Sequence, residues 1–579
     1  AWLLCLLPSL LQAQASGEVR PKPRPCQQSP TRVSCGGAGL HAFPEELAQG
    51  VEHLELSNNL IQRLPERRVP WAGRLEHLDL SFNRLEAVSD TALAQLPRLR
   101  SLLLGSNHLD RNYVANGRAL QQLRNVEVLD LSANNLESHM AGWYVSNLTT
   151  LRRLDLSGNR MTRLPAGIFR SAPRLAELNL SNNYIMDIEE GAFEALRELR
   201  VLDLALNSLH CLSGFALTQL RVLNLSHNAL ELFVAEEQQG QLYQLRVLDL
   251  SHNRLLLFPA LPHARHLTHL NLSGNAIASL VPASRPAEFL LPYAEMARHS
   301  NGSVSSVADL TRVADLDLSN NQLHQLPFAF FHRLTSLHSL DVSMNCLQDV
   351  TRGDMESDTP LGPREPVFLS VRSLDLHGNV IHSLPRWFFD FLPHLESIDL
   401  GSNSLQPCES RETSKGEDSG GESRAPAPGG TCTAFHNILG LKHLSLRKNN
   451  LARLYPYTFN QTPLVSLDLS ENEDLFLPKE ALAGLEFSLQ KLSLRGNRMR
   501  DGQAEFPCLH TLNALDLSSN NLSRVPAGLF CSPLERLDIR RNSLAALAEP
   551  ALAGWSRSLQ LVALAGNPFS CCALAWLDA

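Results

Sequence analysis

The stretch "LRVLDLSHN" (residues 245–253) places apolar side chains at its first, fourth and sixth positions and an asparagine at its ninth. The same L-x-x-L-x-L-x-x-N pattern returns as "LEHLDLSFN" (75–83), "LRRLDLSGN" (151–159) and "LERLDIRRN" (534–542). Twenty copies stand in register, with the asparagine at residues 59, 83, 107, 134, 159, 183, 207, 228, 253, 275, 321, 345, 379, 403, 449, 472, 497, 520, 542 and 567. Most steps are 21 to 27 residues, the period of a leucine-rich repeat. Each copy is too short to bury its own leucines, so neighbours must stack. The expected fold is an α/β leucine-rich-repeat solenoid, a horseshoe of about 20 turns. Short parallel strands line its concave face and irregular or short-helical returns close each turn. The asparagine is expected to turn the chain, its amide bonding backbone groups of adjacent turns. "RLPAGIF" (163–169) and "QLPFAFF" (325–331) mark returns whose aromatic side chain fills the space behind the strands.

Three steps are too long: residues 275 to 321, 345 to 379 and 403 to 449. The last contains "ESRETSKGEDSGGESRAPAPGG" (409–430), polar and rich in Gly and Pro, which reads as disordered. The expected organisation is a leader remnant (1–15), an N-terminal cap (16–49) and a first repeat segment (50–276). An interrupting loop (277–309) leads to a second segment (310–404) carrying a long insertion (347–370). A disulfide-closed loop (405–432), a third segment (433–567) and a truncated C-terminal cap (568–579) complete it.

The start, "AWLLCLLPSLLQAQASG", is an apolar run ending in Ala13-Gln14-Ala15, a small-x-small cleavage pattern. Removing that leader takes Cys5 with it and leaves ten of the eleven cysteines in an oxidising compartment. Seven Asn-x-Ser/Thr sequons agree with secretion: Asn147, Asn179, Asn224, Asn271, Asn301, Asn460 and Asn521. No later apolar run reaches the length of a membrane span. A net charge of −8 without a Lys/Arg block argues against nucleic acid as partner. Metal-protease, phosphate-loop and nucleophile-elbow motifs are missing, so no enzyme, cofactor or metal is expected.

Ten cysteines can be sorted by spacing. Cys26 and Cys35 precede the first repeat and suit a disulfide-closed cap. Cys408 and Cys432 flank the polar loop and would pin its base. Cys508 and Cys531 lie one turn apart, within disulfide reach; the alternative is a buried free pair. Cys571 and Cys572 follow the last repeat and open a C-terminal cap. Cys211 and Cys346 are left over. Each follows a repeat asparagine on the same edge, and five repeat steps separate them. At about 4.8 Å per step that is roughly 24 Å, too far for a bond between them. Intermolecular bonding and inert burial both fit at this point.

The residue between the two strand leucines is Asp in twelve repeats: 79, 130, 155, 203, 249, 317, 341, 375, 399, 468, 516 and 538. An acidic strip for a basic partner is one reading, and the ordinary consensus of the repeat is the favoured one. Asn179, Asn224 and Asn271 take that place in three repeats, where sugars would stand on the concave face.

The placed cysteines carry more specificity than the repeat. "PCQQSPTRVSC" (25–35), "IMDIEEGAF" (185–193), "NSLHCLSGFALTQLRVLNLSHNALELF" (207–233), "LTSLHSLDVSMNCL" (334–347), Cys408 to "CTAF" (432–435), "ALAGLEFSLQKLSLRGN" (481–497) and "LAGNPFSCC" (564–572) resemble one family. It is that of GARP (glycoprotein A repetitions predominant) and its sibling, the negative regulator of reactive oxygen species. The second half reads more like GARP, whereas "LLLGSNHLDRNYVANGRALQQL" (102–123) reads more like the sibling. The resemblance implies a non-catalytic, single-pass cell-surface protein that holds latent transforming growth factor β for release by integrins. It implies that Cys211 and Cys346 form disulfides with the two prodomains of the procytokine dimer. It also implies a membrane anchor that this sequence does not contain. The competing reading is a Toll-like or other innate immune receptor without covalent cytokine tethering.

Overall fold

The computed structural model describes residues 26–569 apart from 45, 65–68, 70, 213–216, 234–241, 260, 262–263, 281–309, 349–367, 369, 386 and 409–431. The leader, Asn301, Cys571, Cys572, most of the 277–309 loop, the 347–370 insertion and the 409–430 loop therefore lie outside the described residues. Chain packing separates two compact units. One comprises Ala1–Met161, Pro165–Ala176 and Gly191–Arg197, and the other Thr162–Leu164, Glu177–Glu190 and Glu198–Ala579.

The first unit begins with a hairpin. Strand Gln27–Gln28 pairs antiparallel with Arg32–Ser34, and the Cys26–Cys35 disulfide closes it with Cα atoms 4.4 Å apart. Arg32–Ser34 then pairs in parallel with the first repeat strand, His53–Glu55. This covers a sheet edge that would otherwise expose unpaired backbone groups. The strands His77–Asp79, Ser101–Leu103, Val128–Asp130 and Arg153–Asp155 follow, each one turn on. Their returns hold short helices at Asp90–Ala94, Tyr113–Leu120 and Ser138–Tyr144. Ser89 caps the first of these, its hydroxyl accepting the Ala92 N–H.

In the second unit the parallel stack runs from Glu177–Asn179 to Leu561–Ala563. In each strand up to Arg536–Asp538 the middle residue is apolar and buried and its two neighbours are more exposed, which is the two-residue alternation of a half-buried strand. Leu202, Leu223, Leu248, Leu270, Leu316 and Leu340 are each at most 2% exposed. Behind them, Phe331, Phe388, Phe435 and Phe459 fill the space at the returns.

The over-long steps do not interrupt the ladder. His269–Asn271 pairs directly with Asp315–Asp317, Ser339–Asp341 with Ser373–Asp375, and Ser397–Asp399 with His443–Ser445. The repeat asparagines explain why. Asn321 Nδ2 donates to the carbonyls of Leu272, Leu318 and Ser319 at 2.9, 3.1 and 3.1 Å, and its Oδ1 accepts the Ile277 N–H at 3.0 Å. Asn379 makes the same bonds to Val342 and Leu347, and Asn449 to Leu400 and Leu405. One buried amide thus satisfies groups of two turns at once, however long the chain between them. The described strands on either side of each long step stay in register.

Candidate functional site

The site is built from the edge of the second unit just after the asparagines. Asn207 turns the chain out of strand Val201–Asp203, and Asn345 turns it out of Ser339–Asp341. Asn228 Oδ1 accepts the Leu209 N–H at 3.0 Å, and Leu209 is fully buried, which anchors the segment two residues before Cys211. The Cys346 N–H donates to the Leu323 carbonyl at 3.0 Å, and Leu347 beside it is fully buried. Both thiols are exposed and unpaired. Inert burial, the alternative open at the sequence level, does not hold.

Five strand pairings connect the two positions in sequence: Val201–Asp203, Val222–Asn224, Val247–Asp249, His269–Asn271, Asp315–Asp317 and Ser339–Asp341. With parallel strands about 4.8 Å apart the separation is about 24 Å, against a disulfide reach of about 7 Å. Each thiol is therefore open to a partner but not to the other. The remaining described cysteines of this unit are bonded: Cys408 to Cys432 and Cys508 to Cys531, with Cα atoms 4.9 and 5.8 Å apart.

Leu206 and Met344 were not singled out by sequence reasoning. Each directly precedes its repeat asparagine, in the left-handed region with φ of 55° and 53°. The equivalent position elsewhere is often Asn, Gly, His or Ser, residues that tolerate this conformation or cost nothing in water. Here it presents an apolar side chain, 51% and 54% exposed, on the edge that carries the thiol. Tyr184, Met186 and Val380, exposed by 61%, 56% and 43%, lie on the turns next to these. The signal was present in the repeat alignment as a bulky residue at a left-handed position.

The aspartates of the strand ends serve the backbone. Asp317, Asp341, Asp375 and Asp399 each accept the N–H two residues on, at 2.8 to 2.9 Å. This capping explains why the repeat prefers Asp without invoking a basic partner. Asn179, Asn224 and Asn271 do the same with Ser181, Ser226 and Ser273, at 3.0 to 3.1 Å, through Oδ1. Exposed Asn147 and Asn521 and half-buried Asn460 lie off the strands.

Stacking aspartates on adjacent strands has an electrostatic cost. Burial first, then the Asp341 and Asp399 charges, push the Asp375 carboxyl up to about 6, against the lowering effect of its bond from the His377 N–H. The unfolded carboxyl loses its proton near 3.8. Its charge therefore destabilises the fold fully above pH 6, and this loss fades as pH falls toward 3.8. Asp375→Asn keeps the oxygen that accepts from His377 and removes the charge. Its melting temperature should exceed that of the parent most at pH 7.4, with the gap narrowing steadily to none near pH 4. A pH-independent difference in scanning fluorimetry would contradict this origin.

Among the described residues no His/Cys/Asp/Glu cluster suits a metal, and no helix is long and apolar enough to cross a membrane.

Sequence profiles agree with this architecture. A profile described as Leucine rich repeat matches residues 49–109, 73–136, 149–209 and 173–230, with related profiles at 244–264, 263–279 and 333–350. Among solved structures, YopM from Yersinia enterocolitica superposes with a TM-score of 0.49 at 23% identity, over 93% of this chain and 87% of that one. Transforming growth factor beta activator LRRC33 of Danio rerio is 30% identical over 98% of this chain and 84% of its own length. Transforming growth factor beta activator LRRC32 of Pongo abelii is 37% identical over 100% of this chain and 87% of its own length. LRRC32 is the GARP of the resemblance drawn from the motifs. The chain belongs to the leucine-rich-repeat family of LRRC32 and LRRC33.

Proposed function

We propose that this chain is a cell-surface protein that binds latent transforming growth factor β and tethers it through Cys211 and Cys346, presenting it for release by integrins. The observation that carries this reading is the pair of exposed, unpaired thiols on one edge of one unit, too far apart to bond each other. Relatives covering the whole chain bear the name transforming growth factor beta activator. A procytokine dimer offers two equivalent prodomain cysteines, which matches two separated thiols better than one.

Exchange forms both bonds where each prodomain cysteine enters as a mixed disulfide with a small thiol. Each thiolate of this chain attacks one prodomain sulfur, a new S–S bond forms, and the small thiolate leaves and takes a proton. Leu206 and Met344 supply apolar contact beside the bond, so that partner choice precedes exchange. Affinity then rests on the noncovalent surface and persistence on the disulfides.

The test is co-expression of this ectodomain with a latent transforming growth factor β precursor, followed by native capture and a non-reducing gel. A high-mass species that collapses on reduction is expected. Separate migration of the two proteins after non-reducing capture would remove the covalent step, and failure of capture would remove the partner.

A further inference from the structure

The first unit carries a charged hollow on the opposite edge of its sheet, where the chain enters the strands. The row immediately before the strands reads Glu76, Arg100, Glu127, Arg152, kept in step by backbone bonds from Ser101 to Glu76, Val128 to Arg100 and Arg153 to Glu127. This row neutralises itself. Arg100 pairs with Glu76 and Glu127 at 4.0 and 3.7 Å, and Arg152 with Glu127 at 3.9 Å. Outside the row stand Arg98, Arg124 and Arg174, all exposed, with no carboxylate in ion-pair reach among the described residues. Glu76, Arg98, Arg100, Asn125, Glu127, Thr150, Arg152 and Arg174 surround a hollow of about 440 Å³.

Its walls are braced. Asn125 Nδ2 donates to the Pro97 carbonyl at 2.7 Å, and Thr150 Oγ1 donates to the Val126 carbonyl at 2.8 Å. These bonds cross between turns and fix the spacing of the segments that carry Arg98 and Arg124. A chain with net charge −8 thus keeps a local basic strip on the turns of Arg98, Arg124 and Arg174, with Thr150 on the turn between the last two.

We infer that this strip binds a linear sulfated polysaccharide of the glycosaminoglycan class. Three features select that ligand. The cations are guanidinium groups, whose planar fork grips sulfate or carboxylate by paired hydrogen bonds. They repeat along the stacking direction, which suits a ligand with charges along a line. The hollow contains no apolar anchor: Phe82 and Trp143 are the large exposed apolar side chains of this unit's described residues, and neither lines it. A protein partner would require such an anchor, and a single-stranded nucleic acid would require aromatic faces for its bases.

The site is independent of the thiols and of the partner proposed for them. The experiment uses the secreted ectodomain on immobilised heparin at physiological salt. Hyaluronan, which bears carboxylates but no sulfates, poly-glutamate and poly-uridine serve as competitors. The triple variant R98E/R124E/R174E is compared with R63E/R84E/R160E, an equal charge change at exposed positions elsewhere in the same unit. The first variant should lose more than about tenfold in heparin affinity and the second less than about twofold, since local field and fork geometry rather than net charge hold the ligand. Equal losses in both variants, or none in the first, would overturn the site. Displacement of heparin by poly-glutamate or poly-uridine as readily as by free heparin would overturn the ligand class. Displacement by hyaluronan at matched concentration would overturn the preference for sulfate. Circular dichroism confirms folding of both variants, whose altered side chains are all on the surface.

Discussion

The double substitution Cys211→Ala and Cys346→Ala is expected to abolish the covalent complex with latent transforming growth factor β entirely. Each single change should leave a weaker high-mass band, because one thiol still meets one prodomain. The fold should be unaffected, since both side chains are exposed and neither takes part in an intrachain bond. The backbone bond from Cys346 to Leu323 does not involve the side chain and survives. Native capture should persist in the double variant at reduced strength, because the apolar surface at Leu206 and Met344 is intact. Replacing those two by serine should do the reverse: slower complex formation, with the thiols still able to bond. This separation of roles is testable by following complex formation over time on non-reducing gels. An undiminished band in the double cysteine variant would eliminate the tether mechanism.

Asn321→Asp should be the most damaging conservative change. The shape is preserved, but a donor becomes a carboxylate facing the carbonyls of Leu272, Leu318 and Ser319. Asn321 is 7% exposed, so water cannot relieve the conflict. Asn321→Ala removes the repulsion but strands the Leu272 carbonyl and the Ile277 N–H, at about 1–3 kcal/mol for each buried group left unpaired. Both variants should be poorly secreted, the aspartate more so, and hydrogen exchange should rise in strands His269–Asn271 and Asp315–Asp317 before distant ones. Stacked repeats couple mainly to their neighbours, so the damage begins locally. Uniform destabilisation of the second unit, or exchange unchanged at those strands, would contradict the stitching role of the asparagine.

The repeat, the strands and the asparagine bonds were legible because a short-range pattern dictates them. Leu248 is buried for the same reason as Leu340, and Asn253 and Asn345 bond alike. The continuity of the ladder across the long steps was not legible. It depends on bonds such as Asn321 to Ile277, whose partners are 44 residues apart. The thiols were visible by elimination, but their exposure was not, since Cys346 sits between buried Asn345 and buried Leu347. Leu206 and Met344 were hidden among leucine-rich surroundings, and only the structure shows that they face solvent. The arginine hollow was hidden because Arg98, Arg152 and Arg174 belong to three different turns and line it together only through register.

The most direct measurement is disulfide mapping of the purified complex. The complex is alkylated without reduction, digested and read by mass spectrometry. The tether account predicts two cross-linked species, one joining the Cys211 peptide and one joining the Cys346 peptide to the same prodomain cysteine sequence. Alkylated, unlinked Cys211 and Cys346 in a complex that still holds together would contradict it, as would either residue bonded to another cysteine of its own chain.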